Sequence, residues 1–247
     1  ASVSPQQAQV NQILRVVVTF TDGFGGLETV ISDATSGVGD AYNGTGGNDN
    51  PAFSALAGAN GPTAFDDILD GNAGNDTLNG AGGNDTIVGG LDTDSIDGGA
   101  GNDTILYTVG DGADAMIDGG ADDDTLVATG TAGNNTLAVV VSGGVVTRFA
   151  SNADNIQNVE TISVDLGANA AGGDMLSYNG TTEAVTISLE AGLAPGLTFI
   201  TGIENLQGGS GNDTLTGDTG ANVLSGGDGN DTLIATVDNA ADGMNGN

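Results

Sequence analysis

From residue 62 to residue 106 a large aliphatic side chain returns every nine positions, as Leu69, Leu78, Ile87, Ile96 and Ile105, among residues that are mostly small or polar. A fixed short period of this kind is the mark of a solenoid. Each unit is too small to bury its own apolar residue and can do so only by stacking on a neighbour. The five units read PTAFDDILD, GNAGNDTLN, GAGGNDTIV, GGLDTDSID and GGAGNDTIL. Three more, GGSGNDTLT, GDTGANVLS and GGDGNDTLI, fill residues 208–234 around Leu215, Leu224 and Leu233.

Each unit splits into two elements. The first six residues are glycine-rich and polar and predict a tight turn, because glycine enters positive φ without a Cβ clash. The last three, such as Thr77-Leu78-Asn79 or Thr86-Ile87-Val88, predict a short strand with its middle side chain facing inward. Two units then make one coil of 18 residues, with two parallel strands in opposite sheets and a turn at each edge.

Outside the strict repeats the pattern changes. Residues 1–40 carry ILRVVVTF, the loop TDGFGG and LETVISDAT, which predict a β-hairpin. Residues 41–127 form the first repeat block, with a degenerate unit around Asp49, Gly58 where the frame expects an aspartate, and a frame slip of two residues after Leu106. Residues 128–206 lose the strict motif but keep strand-like runs (NTLAVVV, GVVTRF, VETISVDL, DMLSY, AVTISL, LTFITGIENL), read as degenerate coils of the same solenoid. Residues 207–247 hold the second block. Tyr107, Tyr178 and Phe199 are expected in the core or at its rim.

Charge then decides what sits at the coil edges. The sixth residue of a unit is usually aspartate, so Asp49, Asp67, Asp85 and Asp103 fall 18 apart along one edge, Asp76 and Asp94 along the other, and Asp213 and Asp231 along one edge of the second block, opposite Glu204 and Asn222. Stacked coils lie about 4.8 Å apart, at which neighbouring carboxylates repel by roughly 1 to 4 kcal/mol in a partly screened setting. The chain holds 33 acidic residues against two basic ones, Arg15 and Arg148, so its own cations cannot neutralise them. A metal ion can. With no His and no Cys the donor set is all oxygen, and flexible glycine loops suit calcium's six to eight ligands better than magnesium's octahedron. The candidate ligands are Asp49, Asp67, Asp76, Asp85, Asp94, Asp103, Asp114, Asp124, Asp213 and Asp231. Turn backbone is expected from Gly71, Gly74, Gly80, Gly83, Gly89, Gly98, Gly101, Gly119, Gly208, Gly211, Gly226 and Gly229. Asp92 replaces a fourth-position glycine and either adds a ligand or, as the favoured expectation, distorts its turn, while Asp122 could add a ligand or lie in a solvated loop.

These units resemble the GGxGxDxUx repeats of the RTX (repeats-in-toxin) family. The resemblance implies an all-β, right-handed parallel β-roll stabilised by several calcium ions, held between turns by the sixth-position aspartates and loop carbonyls. It also implies export by type I secretion and folding outside a bacterial cell. The N-terminal hairpin resembles the closing strands of Ig-like or cadherin-like modules that precede RTX regions in large bacterial exoproteins.

Other function classes recede. A net charge of −31 opposes nucleic acid and anionic membranes as partners, and no apolar run is long enough to span a bilayer. Without His or Cys there is no Ser-His-Asp or Cys-His arrangement, and the regular carboxylate spacing is already explained by metal, so no catalytic residue is assigned. The NDT sequons at Asn75, Asn84, Asn102, Asn212 and Asn230 follow from the repeat, and glycans there would block stacking. The expected function is a calcium-binding segment of a secreted or cell-surface protein, folding on calcium and supporting other domains. The alternatives are a surface-layer, adhesin-stalk or filament subunit that self-associates end to end or meets a cell-surface partner, and the accessory module of an exoenzyme such as a haem peroxidase-like protein, protease, lipase or epimerase.

Overall fold

The computed structural model describes residues 17–21, 27–31, 41–43, 64–149, 154–167, 173–236 and 241–246. Every regular element among them is a strand. Val17–Thr21 and Leu27–Ile31 pair antiparallel, Val17 facing Ile31 and Thr21 facing Leu27, as the expected hairpin. The expected ligand Asp49 and the expected gap at Gly58 lie outside the described residues.

The nine-residue period becomes a β-roll. Ile68–Asp70, Thr86–Val88, Thr104–Thr108, Thr125–Thr129 and Thr161–Asp165 stack in parallel in one sheet, which Ala41–Asn43 and Phe199–Thr201 extend at its two ends. Thr77–Asn79, Ser95–Ala100, Met116–Ala121 and Asp154–Gln157 stack in parallel in the opposite sheet. Eighth-position side chains face each other between the sheets, and Leu69, Leu78, Ile87, Ile96 and Ile105 are shut off from solvent. One aliphatic residue per strand makes a narrow core, and each coil relies on the next to close it.

Further along, the core widens. Thr104–Thr108, Thr125–Thr129 and Thr161–Asp165 are five residues long, so period-two alternation turns Tyr107, Ala128 and Val164 inward beside Ile105, Leu126 and Ile162. Tyr178 and Phe149 are also fully buried, whereas Phe199 is exposed on the outer face.

The middle of the chain is not a plain run of parallel coils. After Thr125–Thr129 the chain runs ahead to Thr136–Ser142, folds back through Val145–Phe149, and only then lays Asp154–Gln157 beside Met116–Ala121. The reversal is written in Ser142-Gly143-Gly144-Val145, whose two glycines both take positive φ (62° and 81°), the geometry a two-residue hairpin turn demands. Glu183 accepts hydrogen bonds from the N–H groups of Gly143 and Gly144 and pins that turn. Thr136–Ser142 then carries the sheet onward through Met175–Ser177, Asn205–Gln207, Val223–Ser225 and Gly243–Asn245, again in parallel. On the other face Thr186–Ser188, Thr214–Thr216 and Thr232–Ile234 form a three-stranded parallel sheet, while Phe199–Thr201 turns back to pair with Thr161–Asp165.

Candidate metal centre

The site is built from what each turn does with its sixth residue. That residue directly precedes a strand, and its side chain reaches to the coil before it. The N–H of Asp67 donates to Asp85 Oδ1 at 2.7 Å and that of Asp85 to Asp103 Oδ1 at 2.7 Å. The same edge continues from Asp103 to Asp124 Oδ1 at 2.8 Å and from Asp124 to Glu160 Oε2 at 2.8 Å. On the opposite edge Asp76 donates to Asp94, Asp94 to Asp114 and Asp114 to Asp154, at 2.8, 3.0 and 2.6 Å. In the second block Asp213 donates to Asp231 Oδ1 at 2.9 Å. A second ladder runs the other way through the fifth residues, with Asn102 N–H on Asn84 Oδ1 and Asn230 N–H on Asn212 Oδ1, each at 2.9 Å. The asparagine of each NDT is thus a clamp between coils.

One oxygen of the aspartate ladder is used for stacking, and the other is not. Oδ2 of Asp85, Asp94, Asp103, Asp124 and Asp231 is buried without a hydrogen-bond partner. A buried unpartnered carboxylate oxygen is costly, and a row of them is a strong argument for a missing positive charge. Beside those of Asp85, Asp103 and Asp124 a backbone carbonyl of a neighbouring coil borders the same space. A Cβ on Gly80 would meet both Asp85 Oδ2 and the carbonyl oxygen of Gly98, and one on Gly98 would meet Asp103 Oδ2 and the oxygen of Gly119. The same cradle recurs at Gly71 with Asp76 Oδ2 and Gly89 O, and at Gly208 with Asp213 Oδ2 and Gly226 O. Gly119 faces Asp124 Oδ2 and Asn158 O, Gly89 faces Asp94 Oδ2, and Gly226 faces Asp231 Oδ2. First-position glycine leaves this space open to a cation.

Fourth-position residues shape the turn from the far side. Gly74, Gly83, Gly101 and Gly229 all have φ between 108° and 123°, and Gly211 packs against the backbone of Glu183 and Ala184. Asp92 does not distort its turn. It adopts φ of 83°, and its N–H donates to Asp111 O as that of Gly74 does to Leu91 O. Short polar side chains tolerate this left-handed conformation. Asp122 does the same at 84°, with its side chain exposed.

Electrostatics agrees with an unmet need for cations. Burial pushes the Asp85 carboxyl up to about 7, with the Asp103, Asp67 and Asp66 charges adding to it. Burial likewise raises Asp94 to about 6 and Asp114 to about 8, the latter helped by Asp154, Asp94 and Asp111. Asp124 and Asp154 rise to about 6 for the same leading reason, and Asp103 also moves upward. Among the described residues no three acidic side chains converge on one point, so backbone carbonyls must supply most of each coordination shell. Carboxylate plus carbonyl is a hard, all-oxygen set that fits calcium.

Two turns carry asparagine as the sixth residue, and they orient it differently. In residues 130–135 that residue is Asn135, and its Nδ2 donates to the carbonyl oxygens of Thr131, Gly133 and Leu166 at 3.1, 2.8 and 3.2 Å. Asn222 in residues 217–222 is turned the other way: its Oδ1 faces first-position Gly217 and accepts from the Asp218 N–H at 2.8 Å, while its Nδ2 donates to Glu204 O of the neighbouring coil at 2.9 Å.

Several ladder residues escape the repeat motif: Asp154, Glu160, Asp174 and Asp242. The first three stand two positions before an inward aliphatic residue (Asp154 with Ile156, Glu160 with Ile162, Asp174 with Leu176), and Asp242 stands two before Met244, which is exposed. Acid-x-aliphatic, without the glycines, is the signal that finds them. Asp114 is in register, but its turn opens with buried Val109 in place of a first-position glycine.

The family model for the RTX calcium-binding nonapeptide repeat matches the chain four times, over residues 63–96, 70–105, 80–114 and 201–233. Residues 63–114 and 201–233 therefore carry RTX calcium-binding repeats, which build a β-roll. No curated protein matches the chain. Among the described residues no helix is long and apolar enough to cross a membrane.

Proposed function

We propose that these RTX repeats make the chain a calcium-triggered structural segment of a secreted or cell-surface bacterial protein, folding outside the cell and holding other domains in place. The observation that carries the reading is the row of buried, unpartnered Oδ2 atoms on Asp85, Asp94, Asp103, Asp124 and Asp231. Such a row is untenable where calcium is scarce and is satisfied where calcium is plentiful, so the metal couples folding to location. Several ions bind per chain, one in each turn that pairs a first-position glycine with a sixth-position aspartate. Circular dichroism with and without millimolar calcium, with a metal count on the dialysed protein, tests it. A β signal unchanged by chelator and no retained calcium would sink the reading.

One feature favours self-association as a second role. Leu233, the eighth residue of the last repeat, is only partly buried where Leu215 and Leu224 are fully enclosed, and its strand Thr232–Ile234 ends its sheet. A second copy stacked there would bury it. Sedimentation in calcium at rising concentration checks this, and a strict monomer throughout speaks against it.

A further inference from the structure

The Asn135 turn suggests that calcium does not hold the whole chain. We propose that the side-chain amide of Asn135 takes the place of a calcium ion in its turn, so that the coils from 136 to 207 form a metal-independent core onto which the flanking repeat blocks fold.

Residues 130–135, GTAGNN, keep the repeat's glycines at the first and fourth positions and carry Asn135 where aspartate stands elsewhere. Asn135 is buried, and its Oδ1 accepts from Thr131 N–H and Oγ1, both at 2.9 Å. Its Nδ2 sits among the carbonyls of its own turn and of the next coil, and also lies 2.9 Å from Asp174 Oδ1. An oxygen cage of the kind that surrounds a cation is here closed by an amide nitrogen carrying partial positive charge. Asp174 Oδ1 also accepts from the Asn135 N–H at 2.6 Å, so the ladder passes through this turn without a metal.

A second observation points the same way. Among the described residues, the buried carboxylate oxygens without a partner belong to Asp124 or earlier turns, or to Asp231. Between them, donors from the protein take over. Tyr107 Oη–H donates to Asp154 Oδ2 at 2.9 Å, and the N–H and Oγ1–H of Thr131 both donate to Asn135 Oδ1 at 2.9 Å. This stretch also has the largest apolar side chains, with Phe149 and Tyr178 fully buried and Leu137, Val139 and Val141 inward from one strand. Greater apolar burial and satisfied polar groups are what let a segment fold unaided.

The inference rests on the calcium reading for the flanking blocks but fails separately from it. Hydrogen exchange followed by mass spectrometry on the full chain, in chelator and then in calcium, should show peptides from 136–149 and 175–188 protected in both. Peptides from 68–106 and 214–234 should gain protection only with calcium. If no peptide responds to calcium, the calcium reading falls and this one with it. If all respond together, only the metal-independent core is overturned. Asn135→Asp gives an independent arm, since a carboxylate oxygen facing three carbonyls demands a cation. It should raise the bound calcium by one ion per chain and make protection of 136–149 calcium-dependent; an unchanged count and unchanged protection would overturn the proposal.

Discussion

The N–H of Asp85 donates to Oδ1 of Asp103, one coil further on, at 2.7 Å, while Oδ2 of that same carboxylate is buried with no partner. One side chain therefore ties two coils together with one oxygen and presents the other to a cation. Aspartate suits both tasks because its short side chain fixes where each oxygen lies.

The two tasks can be separated by substitution. Asp103→Asn keeps an acceptor for the Asp85 N–H but removes the anionic oxygen, so it should lose one calcium ion and remain folded at saturating calcium. Asp103→Ala removes both and leaves the Asp85 N–H unpaired, costing about 1 to 3 kcal/mol more. Metal counting and denaturant titration in calcium distinguish them. An unchanged ion count for Asp103→Asn would place the cation elsewhere.

Glycine at the first position keeps the cation's space open. A Cβ at Gly80 would fall onto Asp85 Oδ2 and Gly98 O, the cradle itself. Gly80→Ala should therefore raise the calcium concentration needed for folding. Gly133→Ala is the control, because a Cβ there meets nothing within 4 Å, and its calcium response should match that of the unaltered chain. Equal calcium midpoints for the two variants would contradict this geometry.

The solenoid and its edges were legible because the repeat specifies them locally. Leu78, Ile87 and Ile96 set the core, and the 18-residue spacing of Asp67, Asp85 and Asp103 set one edge before any coordinate was known. What the period could not reveal was the second duty of each residue. That Asn84 receives the Asn102 N–H, or that Asp103 receives that of Asp85, depends on the stagger between coils. The hairpin of residues 136–149 was hidden for another reason. NTLAVVV and GVVTRF alternate as any strand does, and only the Gly143-Gly144 pair signals a reversal in place of another coil. Asp92 went against expectation because a positive φ excludes β-branched and bulky residues far more strongly than it excludes aspartate.

Tyr107 is where a phenol does the work given elsewhere to metal. Its Oη–H donates to Asp154 Oδ2 at 2.9 Å, and Asp154 is fully enclosed. Tyr107→Phe keeps the ring that packs against Phe149 at 5.1 Å between centroids but leaves that oxygen without its donor. The variant should be less stable by about 1 to 3 kcal/mol, read from denaturant midpoints at constant calcium. A variant as stable as the parent would show that the oxygen finds another donor.

Acidity should act in opposite directions on the metal-free and calcium-bound chain. Burial raises Asp85 to about 7, Asp94 to about 6, Asp114 to about 8 and Asp124 to about 6, against about 3.9 for aspartate in an unfolded chain. A group whose pKa is raised by folding binds protons more tightly in the folded state. Its favourable contribution is therefore complete below about 4 and is lost as pH climbs through 6 to 8. Without calcium, the β signal should strengthen from pH 8 to pH 5 as these carboxyls become neutral. With calcium the proton is a competitor, so the concentration giving half-maximal folding should rise over the same interval. Circular dichroism at constant ionic strength, titrated with calcium at each pH, reads both trends. A calcium midpoint that stays flat from pH 8 to pH 5 would mean that these buried carboxylates do not bind the ion.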